Sequence, residues 1–68
     1  MADLFTTVEK GKTYTCHDKE AYAWYDFGIY DLTGKRVTVL MLSGNCACVE
    51  LVSDRTKNFD VKLDTLKK

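Results

Sequence analysis

The sequence predicts a mainly β domain built from five to six short antiparallel strands. Runs rich in Thr, Val, Tyr and Ile recur along the chain and are separated by polar turns, which is typical of strands. Three of these turns contain glycine in a hairpin-like context, at 8–12, 31–35 and 43–45. The 68 residues suit one domain, and we expect 1–68 to form a single unit.

Six strands are predicted by these runs and turns. Gly11 and Gly34 each follow polar turn residues and precede Lys, a pattern that suits a left-handed glycine closing a hairpin loop. "SGN" (43–45) is expected to be a third hairpin connection. The predicted strands are Leu4–Val8, Lys12–Cys16, Ile29–Asp31, Arg36–Leu42, Cys46–Val52 and Phe59–Leu63.

The segment "EAYAWYDFGIYDL" (20–32) holds five of the eight aromatic residues of the chain and has two interpretations. As a helix near 18–27 it has a capping residue in Asp18 and a stop in Gly28, and Ala21, Trp24 and Tyr25 share one face. As a strand, its side chains alternate between two sides. We favour the short helix and keep the strand as the alternative.

The hairpin around "SGN" is apolar on both faces. Its predicted register places Leu42 opposite Cys46, Leu40 opposite Cys48 and Thr38 opposite Glu50. Val37, Val39 and Met41 then share the core face with Ala47, Val49 and Leu51. The second face carries both leucines and both cysteines, so we expect either the aromatic segment or a second copy of the chain to cover it.

The architecture that fits these elements is a small SH3-like or related partly open barrel. "LTGK" (32–35) resembles the first hairpin turn of ubiquitin, which implies turn geometry alone. "WYDFGIYDLTGKRVTVLML" (24–42) is similar in strand rhythm to Tudor domains, which read methylated, cationic side chains with aromatic residues. That resemblance makes a Tudor-like reader one alternative function.

Charge and composition narrow the classes of partner. Ten Lys and Arg residues balance ten Asp and Glu residues, so the chain lacks the basic excess of most nucleic-acid-binding proteins. A local patch on two turns, made of Lys10, Lys12, Lys35 and Arg36, keeps a nucleic-acid-binding small β-barrel as an alternative. No apolar run has membrane-spanning length, and no signal peptide is recognisable, so we expect a cytoplasmic protein with reduced thiols.

No residue pattern predicts catalysis, a metal or a cofactor. Cys16, His17, Cys46 and Cys48 are of the types that bind zinc, but their spacing lacks the usual two intervening residues. His17 is the only histidine, and no spacing places it beside a nucleophile. We therefore expect no catalytic residues, no metal site, no cofactor and no enzymatic activity.

The expected function is a small non-enzymatic binding or regulatory module that acts through protein–protein contacts. Accessory regulators of phage type are often chains of this kind. A homodimer is a further expected form, because a net charge of zero promotes self-association. Exposed Tyr and Trp residues are typical of interaction hot spots. The predicted partner-binding residues are Tyr22, Trp24, Tyr25, Tyr30, Leu40 and Leu42.

Overall fold

The protein is a single antiparallel sheet. The computed structural model describes residues 8–67, of which 52% lie in strands and none in an α-helix. Along the chain the elements are β1 (Thr13–Cys16), β2 (Ala21–Ala23), β3 (Ile29–Tyr30), β4 (Lys35–Ser43), β5 (Cys46–Leu51), β6 (Asn58–Lys62), a 3₁₀ turn (Leu63–Thr65) and β7 (Leu66–Lys67).

The seven strands lie in the order β3-β2-β6-β5-β4-β1-β7, and the sheet does not close on itself. The mainly β class is confirmed, although residues 8–67 contain seven strands rather than five to six. Five of the six predicted strands match observed strands within one residue at each end. The other, Leu4–Val8, falls outside the described residues except for Val8, which is buried but not in a strand.

The helix expected near 18–27 is wrong, because this segment forms β2 and a turn. Asp18 Oδ1 accepts a hydrogen bond from Glu20 N at 2.8 Å, so its carboxylate closes a turn two residues long instead of capping a helix. Ala21 and Ala23 are fully buried, and Ala23 pairs with Phe59 of β6. Small side chains at alternate positions suit a strand packed closely against a core.

The "SGN" turn is one residue tighter than expected. Ser43 pairs directly with Cys46, which leaves two turn residues, and the left-handed Gly44 (φ 59°) occupies the first of them as in a type II′ hairpin. A β-bulge at Leu40 then restores the register, so Thr38 still lies opposite Glu50 as predicted. The predicted pairs Leu42–Cys46 and Leu40–Cys48 are wrong for this reason.

The bulge also changes which side chains share a face. Met41 lies opposite Cys48, and Leu42 lies opposite Ala47. Opposite residues in an antiparallel pair point to the same side of the sheet, so Met41 leaves the core side and Leu42 joins it. A one-residue shift inside a strand has this effect because side chains alternate.

One face of the sheet, called here the inner face, holds the core. Eleven strand residues on this face are each 2% exposed or less: Tyr14, Cys16, Ala21, Ala23, Val37, Val39, Ala47, Val49, Phe59, Val61 and Leu66. Leu32 and Val8 complete the same cluster from loops. A sheet without a second layer buries one face this completely only by curling around it.

Asp18 holds the curled sheet together. Its Oδ2 accepts a hydrogen bond from Lys62 N at 3.2 Å, and its backbone oxygen accepts one from Leu32 N at 2.8 Å. The neighbouring His17 N donates to Thr65 O at 2.8 Å. The bond from His17 continues the pairing of β1 with β7. Since β4 and β5 separate β1 from β6 in the sheet, the two bonds of Asp18 connect parts of the sheet that are not neighbours.

Candidate interaction surface

The aromatic segment divides into two groups that point in opposite directions. Tyr25 and Tyr30 form the inward pair. Their rings lie 5.5 and 5.9 Å from the ring of Phe59, both edge-on, and 5.7 Å from each other. Because Phe59 is 1% exposed, the inward pair closes the rim of the core.

Polar contacts fix the inward pair. Lys57 Nζ lies 4.3 Å from the centre of the Tyr25 ring, in a cation–π contact. The Tyr30 hydroxyl donates a short hydrogen bond to Asp26 Oδ2, and Gly28 N donates to Asp26 Oδ1 at 2.9 Å. The hydroxyl of Tyr30 lowers the pKa of Asp26, and the same bond raises the pKa of Tyr30.

The second group, called here the outer patch, consists of Tyr22, Trp24, Phe27 and Ile29. The ring of Tyr22 lies 5.8 Å from that of Trp24, edge-on, and 6.3 Å from that of Phe27. Phe27 is 70% exposed, Ile29 67% and Trp24 49%. These side chains pack mainly on each other and leave their remaining surface to solvent.

Phe27 has an unusual backbone. Its φ of 60° makes it the one non-glycine residue with positive φ in residues 8–67. A left-handed conformation costs a residue with a Cβ about 1–2 kcal/mol, and such strain is concentrated at functional sites. Phe27 is also the most exposed large apolar side chain of the described residues, so backbone strain and exposure coincide at one position.

A row of paired residues extends the outer patch across the sheet. The observed pairs link, in order, Met41, Cys48, Asp60, Tyr22 and Ile29. Paired residues share a face, so all five lie on the outer face, opposite the core. Burial, and secondly the negative charge of Asp60, raise the pKa of the Cys48 thiol, which keeps it protonated at neutral pH.

The six predicted partner-binding residues are not brought together. Tyr22 and Trp24 belong to the outer patch, whereas Tyr25 and Tyr30 pack on the core. Leu40 is half-buried at the bulge, and Leu42 is 42% exposed beside Ala47. The expectation that the aromatic segment covers the second face of the β4–β5 hairpin is wrong, because β2 lies beyond β6 and leaves Met41 60% exposed.

The four predicted cationic residues form two separate pairs. Lys10 and Lys12 lie in the turn before β1, beside Val39. Lys35 lies opposite Cys16, at the other end of β1. A four-residue strand separates the ends by about 13 Å. Arg36 Nη1 donates a hydrogen bond to Thr15 Oγ1 at 2.8 Å, so this guanidinium has a partner within the protein.

The thiols and the histidine are also apart. Cys16 is buried on the inner face, whereas Cys46 and Cys48 lie on the outer face of β5. Within residues 8–67, no three His, Cys, Asp or Glu side chains converge in a way that suits a metal ion. That part of the chain also contains no helix long and apolar enough to cross a membrane.

A shallow hollow of 260 Å³ lies beside the start of β4. It is lined by Gly34, Lys35, Arg36, Leu51, Val52 and Ser53. This volume is below the range usual for small-molecule sites, and the lining holds no group suited to proton transfer near neutral pH.

Comparison of the chain with protein-family models, with curated proteins and with solved structures found no match.

Sequence reasoning missed four residues of the outer face: Phe27, Ile29, Met41 and Asp60. Phe27 and Ile29 belong to the aromatic segment, and the position of Ile29 opposite Tyr22 depends on the β2–β3 hairpin, which the favoured helix does not contain. Met41 was assigned to the core because no glycine or proline signals the bulge at Leu40. The position of Asp60 next to Tyr22 depends on the β2–β6 pairing, which the sequence does not reveal.

Proposed function

We propose that this protein is a small non-enzymatic binding and regulatory module that acts through protein–protein contacts at the outer patch. The observation that carries the proposal is the strained, exposed Phe27 beside Trp24 and Tyr22. A residue that is neither buried nor relaxed contributes little to folding. Its retention is understandable where another molecule completes its contacts.

The size and composition of the outer patch support the same proposal. Its four residues expose on the order of 400 Å² of mainly apolar surface, an area at which patches on small proteins are often functional. Trp and Tyr are the residue types most enriched at binding hot spots. The patch also combines a loop with two neighbouring strands, so the sheet gives it a defined shape.

The finer fold assignment, an SH3-like, partly open barrel, belongs to this proposal. Its support is the connectivity: a short hairpin, β2–β3, follows β1, and three strands form the meander β4–β5–β6. A 3₁₀ turn then leads into β7, which returns to pair with β1. A cytoplasmic location is proposed as well, because free Cys16, Cys46 and Cys48 suit a reducing compartment.

The two alternative functions receive less support. Nucleic-acid binding requires a continuous basic surface, whereas Lys10 and Lys12 lie at the opposite end of β1 from Lys35. A Tudor-like cage requires space between aromatic rings, but Tyr25 and Tyr30 are 5.7 Å apart and both pack on Phe59. Lys57 already occupies the Tyr25 ring.

The test is affinity capture of native partners with three immobilised variants. Trp24→Ala and Phe27→Gly are expected to lose the partners retained by the wild-type protein. Val52→Ser is the matched control, since Val52 is 51% exposed, close to the 49% of Trp24, but lies outside the patch. Circular dichroism and urea unfolding establish that each variant is folded.

Two results would contradict the proposal. One is retention of the same partners by folded Trp24→Ala and Phe27→Gly variants. The other is an equal loss of partners in the Val52→Ser control, which would place the interface elsewhere. Retention on immobilised polynucleotide that disappears with salt would favour the nucleic-acid alternative.

A further inference from the structure

Asp60 occupies an unusual position on the outer face. Its carboxylate lies between Cys48 and Tyr22, in a row that ends in Met41 and Ile29. Among the described residues, the Asp60 side chain has no hydrogen bond or ion pair. Lys62 lies two positions along β6 on the same face, but it forms no ion pair with Asp60. In the free protein, water solvates this half-buried carboxylate.

A partner that covers the row removes that water. Burial of an unpaired carboxylate is strongly unfavourable unless a donor or a cation replaces the lost hydration. A purely apolar partner therefore gains binding free energy from contact with the flanking side chains but loses it at Asp60, whose carboxylate is left without a partner. A partner that is apolar at its ends and carries a cation opposite Asp60 gains binding free energy at both places.

Aromatic rings beside Asp60 favour the same chemistry. Tyr22 lies directly opposite Asp60 in the β2–β6 pair, and its ring is edge-on to that of Trp24. A cation held by the carboxylate would lie close to this ring, and contact with the ring face would add a cation–π attraction. The protein already makes such a contact internally, between Lys57 and Tyr25.

A second copy of this chain fits the surface less well. A symmetric dimer centred on the row would bring two Asp60 carboxylates together, and like charges at short distance repel. The exposed outer patch also provides about half of the roughly 800 Å² that each partner contributes to a stable interface. A short extended segment makes a smaller demand on area.

We propose that the outer row binds a peptide segment in which a Lys or Arg side chain is flanked by apolar residues. The cationic group pairs with the Asp60 carboxylate beside Tyr22, and the apolar residues contact Trp24 and Ile29 on one side and Met41 on the other. This inference rests on the proposed function and specifies the chemistry of its partner.

Trp24 is the only tryptophan, so its fluorescence reports binding at the patch directly. The probes are two synthetic hexapeptides, one alternating Leu with Arg and the other alternating Leu with Glu. The Arg peptide is expected to shift the fluorescence with at least about tenfold higher affinity than the Glu peptide, and to weaken as salt rises.

Asp60→Asn is expected to lower the affinity for the Arg peptide about tenfold. Asp64→Asn is the matched control, because Asp64 is an exposed carboxylate in the 3₁₀ turn, away from the row. The Asp64→Asn variant should bind the Arg peptide as the wild type does. Urea unfolding of both variants verifies that the sheet is intact.

The inference is overturned if neither peptide binds, if the Glu peptide binds as tightly as the Arg peptide, or if Asp60→Asn leaves the affinity unchanged. It is also overturned if sedimentation shows a dimer that Met41→Ser dissociates. These results differ from failure of the proposed function. If Trp24→Ala loses the native partners while Asp60→Asn keeps them, the outer patch is the interface but the partner does not place a cation on Asp60.

Discussion

Trp24 and Tyr25 are neighbours in the chain but belong to different parts of the protein. The ring of Tyr25 packs edge-on against Phe59 and carries Lys57 on its face. The ring of Trp24 contacts only Tyr22 among the aromatic residues of the described chain and is half exposed. The inward pair closes the core, whereas the outer patch remains available to a partner.

This difference shows that aromatic content alone does not identify a binding surface. Tyrosine occurs in both groups, as Tyr25 and Tyr30 in the inward pair and as Tyr22 in the outer patch. The register of β2 against β6, which places Ala23 opposite Phe59 and Tyr22 opposite Asp60, decides which ring is structural. Each prediction below measures one side of this comparison.

The largest effect is expected at the ring on which the inward pair packs. Phe59→Ala should lower the free energy of unfolding by about 3–5 kcal/mol, because a fully buried aromatic side chain leaves a cavity. In a domain of this size, that is a large share of the net stability. Urea denaturation followed by circular dichroism measures it, and a loss below about 1 kcal/mol would show that Phe59 is not the anchor.

Truncation of the neighbouring rings should destabilise the protein to different extents. Tyr25→Ala is expected to cost about 2 kcal/mol, since it removes two aromatic contacts and the cation–π contact with Lys57. Trp24→Ala should cost about 1 kcal/mol or less. Parallel urea titrations test the ranking, and equal losses would remove the distinction between the two groups.

Strain at the tip of the outer patch provides a third test. Phe27→Gly and Phe27→Ala both remove the ring, but only glycine is relaxed at a φ of 60°. The Gly variant should therefore be more stable than the Ala variant by about 1 kcal/mol. If thermal and urea unfolding rank the Ala variant higher, the left-handed backbone at this position is not strained.

The smallest effect is expected from pH. The folded-state pKa of Asp26 lies below its ordinary 3.8, so the Asp26–Tyr30 bond contributes stability above that pH and loses it as pH falls through the lowered value. The pKa of Tyr30 is raised above 10.0, so the contribution is complete below pH 10 and declines as pH rises above it. Tyr30→Phe should remove the alkaline dependence and weaken the acid one, because Gly28 N still donates to Asp26 in this variant.

The measurement is urea unfolding of wild type and Tyr30→Phe at matched pH values. The difference between the two proteins should be greatest near neutral pH and shrink toward both extremes. A difference that stays constant across the acid range would mean that the bond does not persist in solution.

The sequence was sufficient to predict most strands because their side chains alternate without interruption. Val37 and Val39, and Phe59 and Val61, mark inner-face positions by simple period-2 spacing, and all four are buried. Gly11, Gly34 and Gly44 each have positive φ and lie in the three turns that the sequence predicted. These features depend on local backbone preference, which a single sequence carries.

The remaining features depend on pairing between distant residues. Asp18 and Gly28 have good helix-end chemistry, but the pairing of Ala23 with Phe59 outweighs it. The bulge at Leu40 arises because a two-residue turn and an uninterrupted core register cannot otherwise both be satisfied. The candidate site was only partly predicted for the same reason: Tyr22 and Trp24 were identified, but the neighbours that define their chemistry come from β6.

The strands at the two margins of the sheet, β3 and β7, are each paired over two residues. A margin this short offers few free amide and carbonyl groups to another chain, so stacking into extended fibrils has little template. This matters for a protein whose positive and negative charges cancel, because mutual repulsion does not keep its copies apart. The short edge strands therefore limit aggregation in a protein whose net charge is too small to do so.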